Sequence, residues 1–224
     1  MNRPTAALLL AAAALLSPAT ASAQVLNPAR FDDFGHLVHA GFGADGPLNV
    51  DLSYVHSLAA ATGAPWVAGA RLSLPLVPEG ADFELAGLVE RGFLSQLGLG
   101  ASLRAELAVR NAHTAVANTT DAGVHLGVRG GYFGESASIA AELAWERSLL
   151  AYVLPTDRYR QQTYAGARAG LYGSSGGLFR LGIAGGVRLG SAELTLRTGI
   201  VRSERLAGMD FLPFYAQLGI NWAL

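Results

Sequence analysis

The sequence predicts an all-β fold, a closed antiparallel transmembrane β-barrel of 10–12 strands. The main observation is that apolar residues recur at every second position over long segments, as they do on one face of a β-strand. The second is composition: the 224 residues include 28 glycines and are 51% hydrophobic but only 15% charged, where an average globular protein is about 25% charged. No run of 18 apolar residues follows Gln24, so strands rather than a transmembrane helix are expected to carry the apolar surface.

The clearest strand runs from Leu97 to Val109. Every second residue in it is apolar, and the residues between are glycine, serine, alanine, Arg104 and Glu106. A helix would place Arg104 and Glu106 on opposed sides, and its glycines and serines would weaken it. The stretch is therefore predicted to be a strand with one apolar face and one polar face.

Eleven segments with this alternation follow one another along the chain. They lie near 34–43, 48–58, 66–77, 82–91, 95–110, 123–133, 138–153, 163–172, 178–188, 192–202 and 212–224. Turn-forming stretches separate many of them, and longer polar connections lie at 111–122, 154–162 and 203–210. Because bacterial single-chain barrels have an even number of strands, one segment must be incomplete or one strand must be missing from this set. Ten and twelve strands are equally compatible with the pattern.

The length of the segments and the chemistry of their faces indicate lipid as the outer solvent. Most segments hold about ten residues or more, whereas strands of soluble sheets usually hold about 5 or 6 and about 9–11 tilted residues cross a bilayer. One face is aliphatic and aromatic, and the other is rich in Gly, Ala and Ser, as suits the crowded inside of a narrow barrel. The alternative, a soluble periplasmic lipocalin-like binding barrel, would need a more highly charged outer face.

The N-terminus has the pattern of a secretory signal peptide. Arg3 precedes an apolar run from Ala6 to Leu16, and Ala21-Ser22-Ala23 forms a small-x-small cleavage site before Gln24. The run is too short to span a bilayer. Residues 1–23 are thus predicted to be a signal peptide that is removed, 24–33 an N-terminal lead-in, and 34–224 the barrel domain.

Charge and cysteine content exclude several functions. The 16 basic residues are all arginine, and the sequence also has 17 acidic residues. It therefore has no excess of basic residues for nucleic-acid binding. The chain contains no cysteine, which removes disulfides, thiolate metal ligands and thiol nucleophiles. No partner nucleic acid and no cofactor are expected.

The last eight residues, Gln217-Leu218-Gly219-Ile220-Asn221-Trp222-Ala223-Leu224, resemble the terminal β-signal of Gram-negative outer-membrane β-barrel proteins. The matching positions are polar Gln217, then Gly219, then hydrophobic Trp222 and Leu224. The family most often ends in Phe or Trp, and this chain departs from it by ending in Leu. The resemblance implies an outer-membrane location, with outer-membrane lipid and the barrel-assembly machinery as partners.

The face opposite the aliphatic one carries nearly balanced charges that are predicted to line the lumen. These are Arg71, Arg104, Arg110, Arg129, Arg168, Arg180, Arg188 and Arg197, with Asp51, Glu84, Glu90, Glu106, Glu142, Glu146 and Glu193. One hypothesis is a salt-bridged interior network, since confined charges must be paired or hydrated. The other is an arginine ladder that selects anionic solutes in a narrow pore.

Catalytic and metal-binding groups do not form a recognisable pattern. His56 and Ser57 are adjacent in a predicted strand and point to opposite faces, so they cannot form a nucleophile and base pair. His36 and His39 also face opposite sides, which makes them a poor metal pair. We therefore expect a non-enzymatic outer-membrane barrel with a narrow porin-like or a membrane-structural or surface role; the enzyme alternative is a lipid-modifying hydrolase or acyltransferase.

Overall fold

The computed structural model describes residues 24–45, 48–58, 66–76, 82–95, 97–173, 176–203 and 214–224. The predicted signal peptide, 1–23, lies outside them. The strands are β1 (His36–Asp45), β2 (Leu48–Leu58), β3 (Trp66–Pro75), β4 (Phe83–Leu94), β5 (Leu99–His113), β6 (Ala117–Phe133), β7 (Ala137–Pro155), β8 (Gly170–Gly173), β9 (Gly177–Leu189), β10 (Ala192–Ser203) and β11 (Phe214–Ala223). A 3-10 turn spans Pro28–Arg30 and one helix, α1, spans Asp157–Gln162. No helix in the described ranges is long and apolar enough to span a membrane.

Ten of the strands close into a ring. Each strand from β1 to β7 pairs antiparallel with the next, β7 pairs with β9, and β9, β10 and β11 continue in order. β11 then pairs with β1, from Leu37 opposite Ala223 to Asp45 opposite Tyr215. The predicted closed antiparallel barrel is confirmed, with 10 strands rather than 12.

The eighth predicted segment, 163–172, was wrong as a spanning strand. Only Gly170–Gly173 form a strand there, and β8 merely extends the edge of β7 by pairing with Leu150–Val153. The alternation in this segment consists mainly of alanine and glycine, which bury little apolar area on either face. The polar connection predicted at 111–122 is also mostly strand, because β5 continues to His113 and β6 begins at Ala117.

Burial alternates along the ring strands as period 2 requires. In β11, buried Tyr215 and Gln217 alternate with exposed Phe214 and Leu218. Large aliphatic side chains face outward around the ring; Leu107, for example, is 71% exposed. An outer surface of this kind suits lipid, not water.

The two ends of the barrel differ. β1 begins and β11 ends at one end, called the termini end, where 134–136 and 190–191 form tight turns. At the opposite end β5, β6 and β7 extend beyond the other strands. They are 15, 17 and 19 residues long, whereas the other ring strands have 10–13 residues. The last eight residues of β7, 148–155, lie beyond its final pairing with β9 at Arg147.

This outer extension, formed by 111–122 of β5 and β6 and 148–155 of β7, rises about 20 Å at ~3.3 Å per residue and a tilt of about 40°. It begins at a bulge, where the register between β6 and β7 shifts between Ala122 and Gly123. α1 packs on its inward face, in a buried cluster of Ala117, Ala151, Val153, Tyr159 and Ala167. The extension is therefore a folded structure and not a free loop.

Candidate functional site

One guanidinium joins three carboxylates near the centre of the lumen. Alternation directs Asp51, Arg71, Glu84 and Glu106 inward from β2, β3, β4 and β5, and all four are buried. Arg71 pairs with Glu84, its Nη2 donates to Glu106 Oε2 at 3.0 Å, and its Nη1 lies 3.7 Å from Asp51 Oδ1. A single arginine thus bridges four neighbouring strands.

The network continues around the wall through Arg104. Its Nε donates to Glu106 Oε1 at 2.5 Å, and its Nη1 lies 3.7 Å from Glu90 Oε2. Glu90 also pairs with Arg129 on β6. Charges on β4, β5 and β6 are therefore linked to the cluster around Arg71.

A second set of pairs covers the opposite wall. Arg180 on β9 donates from Nη1 to Glu146 Oε2 at 2.7 Å. Arg197 on β10 donates from Nε to Glu142 Oε1 at 2.6 Å, and its guanidinium stacks 4.9 Å from the centre of the Tyr215 ring. Strands β7, β9, β10 and β11 are joined in this way.

Two further inward residues complete the network. Asp121 accepts from Arg110 Nη2 at 2.9 Å; it lay in the stretch predicted to be a loop, so the sequence pattern did not assign it. His125 alternates with Val124 and Leu126, and this pattern predicts it on the inward face. It lies between two carboxylates, with Nδ1 3.5 Å from Glu106 Oε2 and Nε2 3.7 Å from Glu146 Oε1.

Glu84, His125 and Glu146 bring three ligand atoms within 4.8 Å of one another. The donor set would suit a divalent cation, but both carboxylates are already paired with guanidinium groups, those of Arg71 and Arg180. Positive charge so close opposes metal binding. The arrangement is better understood as part of the ion-pair network.

Two of the predicted lumen residues lie elsewhere. Arg168 is exposed in the connection between α1 and β8, so its assignment to the lumen was wrong, because the segment around it is not a spanning strand. Arg188 is on the inward face of β9 but at the mouth, exposed, with Nη1 3.6 Å from Asp33 Oδ2. Glu193 is buried near the same end.

The segment predicted to be a lead-in enters the barrel at the termini end. Residues 24–34, here called the plug, place Leu26, Phe31 and Phe34 in a buried cluster. Their partners are inward side chains of four strands, Leu37, Val55, Val67 and Leu88. The apolar residues of the plug have no period of two, so the strand pattern does not extend into it.

Polar contacts fix the plug around the mouth. Its carbonyl groups accept from three side chains of the barrel: Gln24 O from Arg104 Nη1 at 3.0 Å, Val25 O from Asn221 Nδ2 at 2.7 Å and Phe31 O from Ser57 Oγ at 2.6 Å. In return Asn27 Nδ2 donates to Gly134 O at 2.9 Å, and Arg30 Nη1 lies 3.6 Å from Glu193 Oε2. These contacts reach opposite sides of the ring at the termini end.

A small cavity lies between the plug and the charged walls. A cavity of about 50 Å³ is lined by Gln24, Arg104, His125, Trp145 and Arg197 among others. A cavity needs about 10–15 Å³ on this measure to hold one water molecule. This space therefore suits a few water molecules and not a hydrated solute.

The four residues of the C-terminal motif lie on the strand that closes the ring. Gln217 and Gly219 face inward, and Trp222 and Leu224 are exposed on the outer surface. Gly219 is required by packing, because a Cβ there would overlap the His39 ring. The Leu224 amide donates to His36 O at 2.9 Å, which fastens the end of the chain to β1.

Each of the five histidines contacts a group other than a serine hydroxyl. On the inside, His39 bonds Asn221 Oδ1 through Nδ1 at 2.8 Å. On the outside, His36 stacks on His56 at 4.8 Å between ring centres and meets the Tyr54 hydroxyl at 2.5 Å. These partners offer no activated serine for the chemistry of the hydrolase alternative.

No family model matches the chain, and no curated protein sequence matches it. Among solved structures, the chain is similar to the β domain of the Bordetella autotransporter BrkA, with 11% identity, a TM-score of 0.40 and coverage of 84% of this chain and 98% of that one. It is also similar to two mutants of the Rh. blastica porin, at 10% and 7% identity, TM-scores of 0.22 and 0.21, and coverage of 84% of this chain and 99% of each of those. Likenesses this distant carry no argument about function.

Proposed function

We propose that this chain is a non-enzymatic outer-membrane β-barrel protein, exported with a signal peptide that is cleaved before Gln24, and closed to solutes in its resting state. Its role is membrane-structural or at the cell surface. The observation that carries the proposal is the ion-pair network across the lumen, in which inward arginines are matched by carboxylates one or two strands away in the ring.

Pairing of this kind argues against the arginine ladder. A selective anion pore needs guanidinium groups that face water and exchange their contacts with passing ions. Arg71 is instead fully buried among three carboxylates. A solute path past Arg71 would separate these ion pairs, and unpaired charges in a confined space are unfavourable.

The outer extension supports a surface role. Bacterial barrels carry short periplasmic turns and longer extracellular loops, so the termini end is assigned to the periplasm and the extension to the outside. A sheet on which α1 packs offers a folded surface above the membrane. Outer-membrane lipid around the apolar belt and the barrel-assembly machinery during biogenesis are the partners that this proposal includes.

Fractionation and solute uptake test the proposal together. The protein should be recovered with outer-membrane markers, and liposomes that contain it should not swell in small sugars or in organic anions. The Arg168→Ala variant changes a residue outside the barrel, so it should fractionate and exclude solutes as the unchanged protein does. Recovery in the soluble periplasm, or rapid swelling in small anions, would contradict the proposal.

A further inference from the structure

We infer that Arg91, on the outer surface of the barrel, binds the phosphate group of a phospholipid in the periplasmic leaflet of the outer membrane. The inference rests on the proposed function, since it takes the apolar belt to lie in the outer membrane and the termini end to face the periplasm. It adds a binding site of defined chemistry to the lipid-facing surface. The site consists of one guanidinium group and the two aromatic rings that contact it.

Arg91 points outward from β4, near the end of that strand. Burial alternates along β4, so that Glu90 and Gly92 are buried on the inward side, whereas Arg91 and Phe93 are on the outward side. The strand ends three residues on, at Leu94. That distance is about 8 Å along the barrel axis at ~3.3 Å per residue and a tilt of about 40°. The guanidinium group therefore lies near the rim of the outer surface at the termini end.

Aromatic side chains mark the level of Arg91 as the membrane interface. The exposed residues Trp66, Phe93, Tyr132 and Trp222 each lie at the end of a strand, or one residue from it, at the termini end. In outer-membrane barrels such residues form girdles at the two interfaces of the membrane with water. Arg91 lies opposite Trp66 in the pairing of β3 with β4. It is therefore expected at the depth of the lipid headgroups.

Two of these aromatic rings contact the guanidinium group. Its central carbon, Cζ, lies 4.9 Å from the centre of the Trp66 ring and 5.0 Å from the centre of the Phe93 ring. Both distances are within the range of about 6 Å over which a cation is attracted to an aromatic face. The rings fix the position of the charge, but they supply no anion.

The charge on Arg91 has no counter-ion of its own. No ion pair joins Arg91 to a carboxylate within the part of the chain that the structure describes, and its Nε is buried without a hydrogen-bond acceptor. The connection 59–65, which joins β2 to β3 at the same end, contains no Asp or Glu in its sequence. A cation on an apolar surface is unfavourable unless it is paired, so an anion from outside the chain is required.

A phospholipid supplies that anion at the right depth. The planar guanidinium group can donate two parallel N–H bonds to two oxygens of one phosphate group. Toward the membrane centre, the outward residues of β3 and β4 include Ala68, Ala70 and Gly87. Their small size leaves a shallow apolar surface against which an acyl chain can pack. The combination of a cation and this surface fits a phospholipid better than free phosphate.

Native mass spectrometry of the detergent-purified barrel, titrated with dioleoylphosphatidylglycerol, tests the inference. The unchanged protein should bind a first lipid molecule, and Arg91→Gln should weaken that binding about tenfold or more, as expected for the loss of charge-assisted hydrogen bonds. Arg202→Gln is the matched control, because Arg202 is an exposed arginine on β10 near the opposite end. It should bind the lipid as the unchanged protein does. Equal binding by the unchanged protein and Arg91→Gln would overturn the inference.

Two further probes identify the part of the lipid that is recognised. Dioleoylglycerol has the same chains but no phosphate, so it should bind the unchanged protein more weakly than dioleoylphosphatidylglycerol does. Inorganic phosphate at millimolar concentration has no chains and should not displace the bound phospholipid. Equal binding of the two lipids, or displacement by inorganic phosphate, would overturn the inference. Both comparisons use the unchanged protein and so do not depend on the folding of a variant.

A failure of this inference can be told apart from a failure of the proposed function. Each protein must first fractionate with outer-membrane markers and show the gel shift of a folded barrel. A barrel that does both but binds the two lipids equally lacks the phosphate site, and the proposed function still stands. Recovery of the unchanged protein in the soluble periplasm would overturn the proposed function and the lipid site together.

Discussion

At the scale of single residues, the lumen is held by side chains that share partners across strands. Glu142 accepts from Arg197 Nε on β10 at 2.6 Å and from the Tyr215 hydroxyl on β11 at 3.3 Å. Its carboxylate therefore ties three strands together. It is buried, so water cannot easily replace these partners.

Glu142→Ala is expected to destabilise the barrel clearly. It leaves the Arg197 guanidinium without its main carboxylate, and removing one partner of a buried ion pair costs about 3–5 kcal/mol. Denaturant unfolding of the detergent-solubilised protein measures the loss. Glu135→Ala, in the exposed turn between β6 and β7, should change the free energy of unfolding by less than about 0.5 kcal/mol. Equal stability of the two variants would indicate a hydrated lumen.

Single residues also show what the sequence could predict about the site. Strand alternation predicts Arg71, Glu106 and Glu142 on the inward face, because successive side chains on a strand point to opposite faces, and all three are buried. It could not tell which acid meets which arginine, because partners such as Arg197 and Glu142 come from strands whose register is a tertiary property. Arg168 was misplaced because alanine and glycine can alternate without forming a spanning strand.

At the scale of elements, β11 has the most demanding position, because it closes the ring. It pairs with β10 on one side and β1 on the other, and Trp222 lies opposite both Ala192 and Val38. A barrel spans lipid only if every backbone group in the apolar belt has a partner. Loss of β11 pairing would expose two edges at once.

Deleting Ile220–Leu224 is therefore expected to abolish insertion. The deletion removes four of the nine residue pairs with β1 and three of the nine with β10. It also removes Asn221, which holds the plug. The measurement is the amount of protein in the outer membrane that migrates differently in a gel before and after boiling. Leu224→Phe is the matched control and should insert at least as well as the natural chain; a truncated chain that inserts at normal yield would refute the β-signal interpretation.

The plug is the element that sequence reasoning placed least well. Strand signals are strong because they repeat every second residue, whereas residues 24–34 reach their position through scattered contacts with several strands. Only the apolar pair of Phe31 and Phe34, beside Asp32 and Asp33, hints at burial. The barrel was thus predictable from local pattern, and the closure of its mouth was not.

Phe31→Ala is expected to loosen the plug. Phe31 is fully buried in the cluster with Leu26 and Phe34. Replacing a buried Phe by Ala costs about 3–5 kcal/mol. Detachment of the plug from the barrel would reduce this loss of stability. Protease cleavage within 24–34 should accelerate while the barrel stays folded. Phe179→Ala, at an outward position of β9, should leave cleavage unchanged, and equal rates for both variants would count against a seated plug.

At the scale of the whole molecule, the described residues fill the barrel at successive levels along its axis. The plug fills the termini end, the ion-pair network occupies the middle, and α1 packs on the inward face of the outer extension. A barrel of about eight strands is filled by its own side chains, and open channels appear at about 16 strands or more. Ten strands place this molecule near the filled limit.

Single-channel recording in a planar lipid bilayer tests this closure most directly. The purified, folded protein should give no stable conductance steps in ordinary salt, because the plug and the paired charges occupy the lumen in the part of the chain that the structure describes. The same preparation must show the gel shift of a folded barrel, so that silence is not due to unfolded chain. Large, stable, anion-selective steps from that preparation would contradict the closed lumen and identify the barrel as a pore.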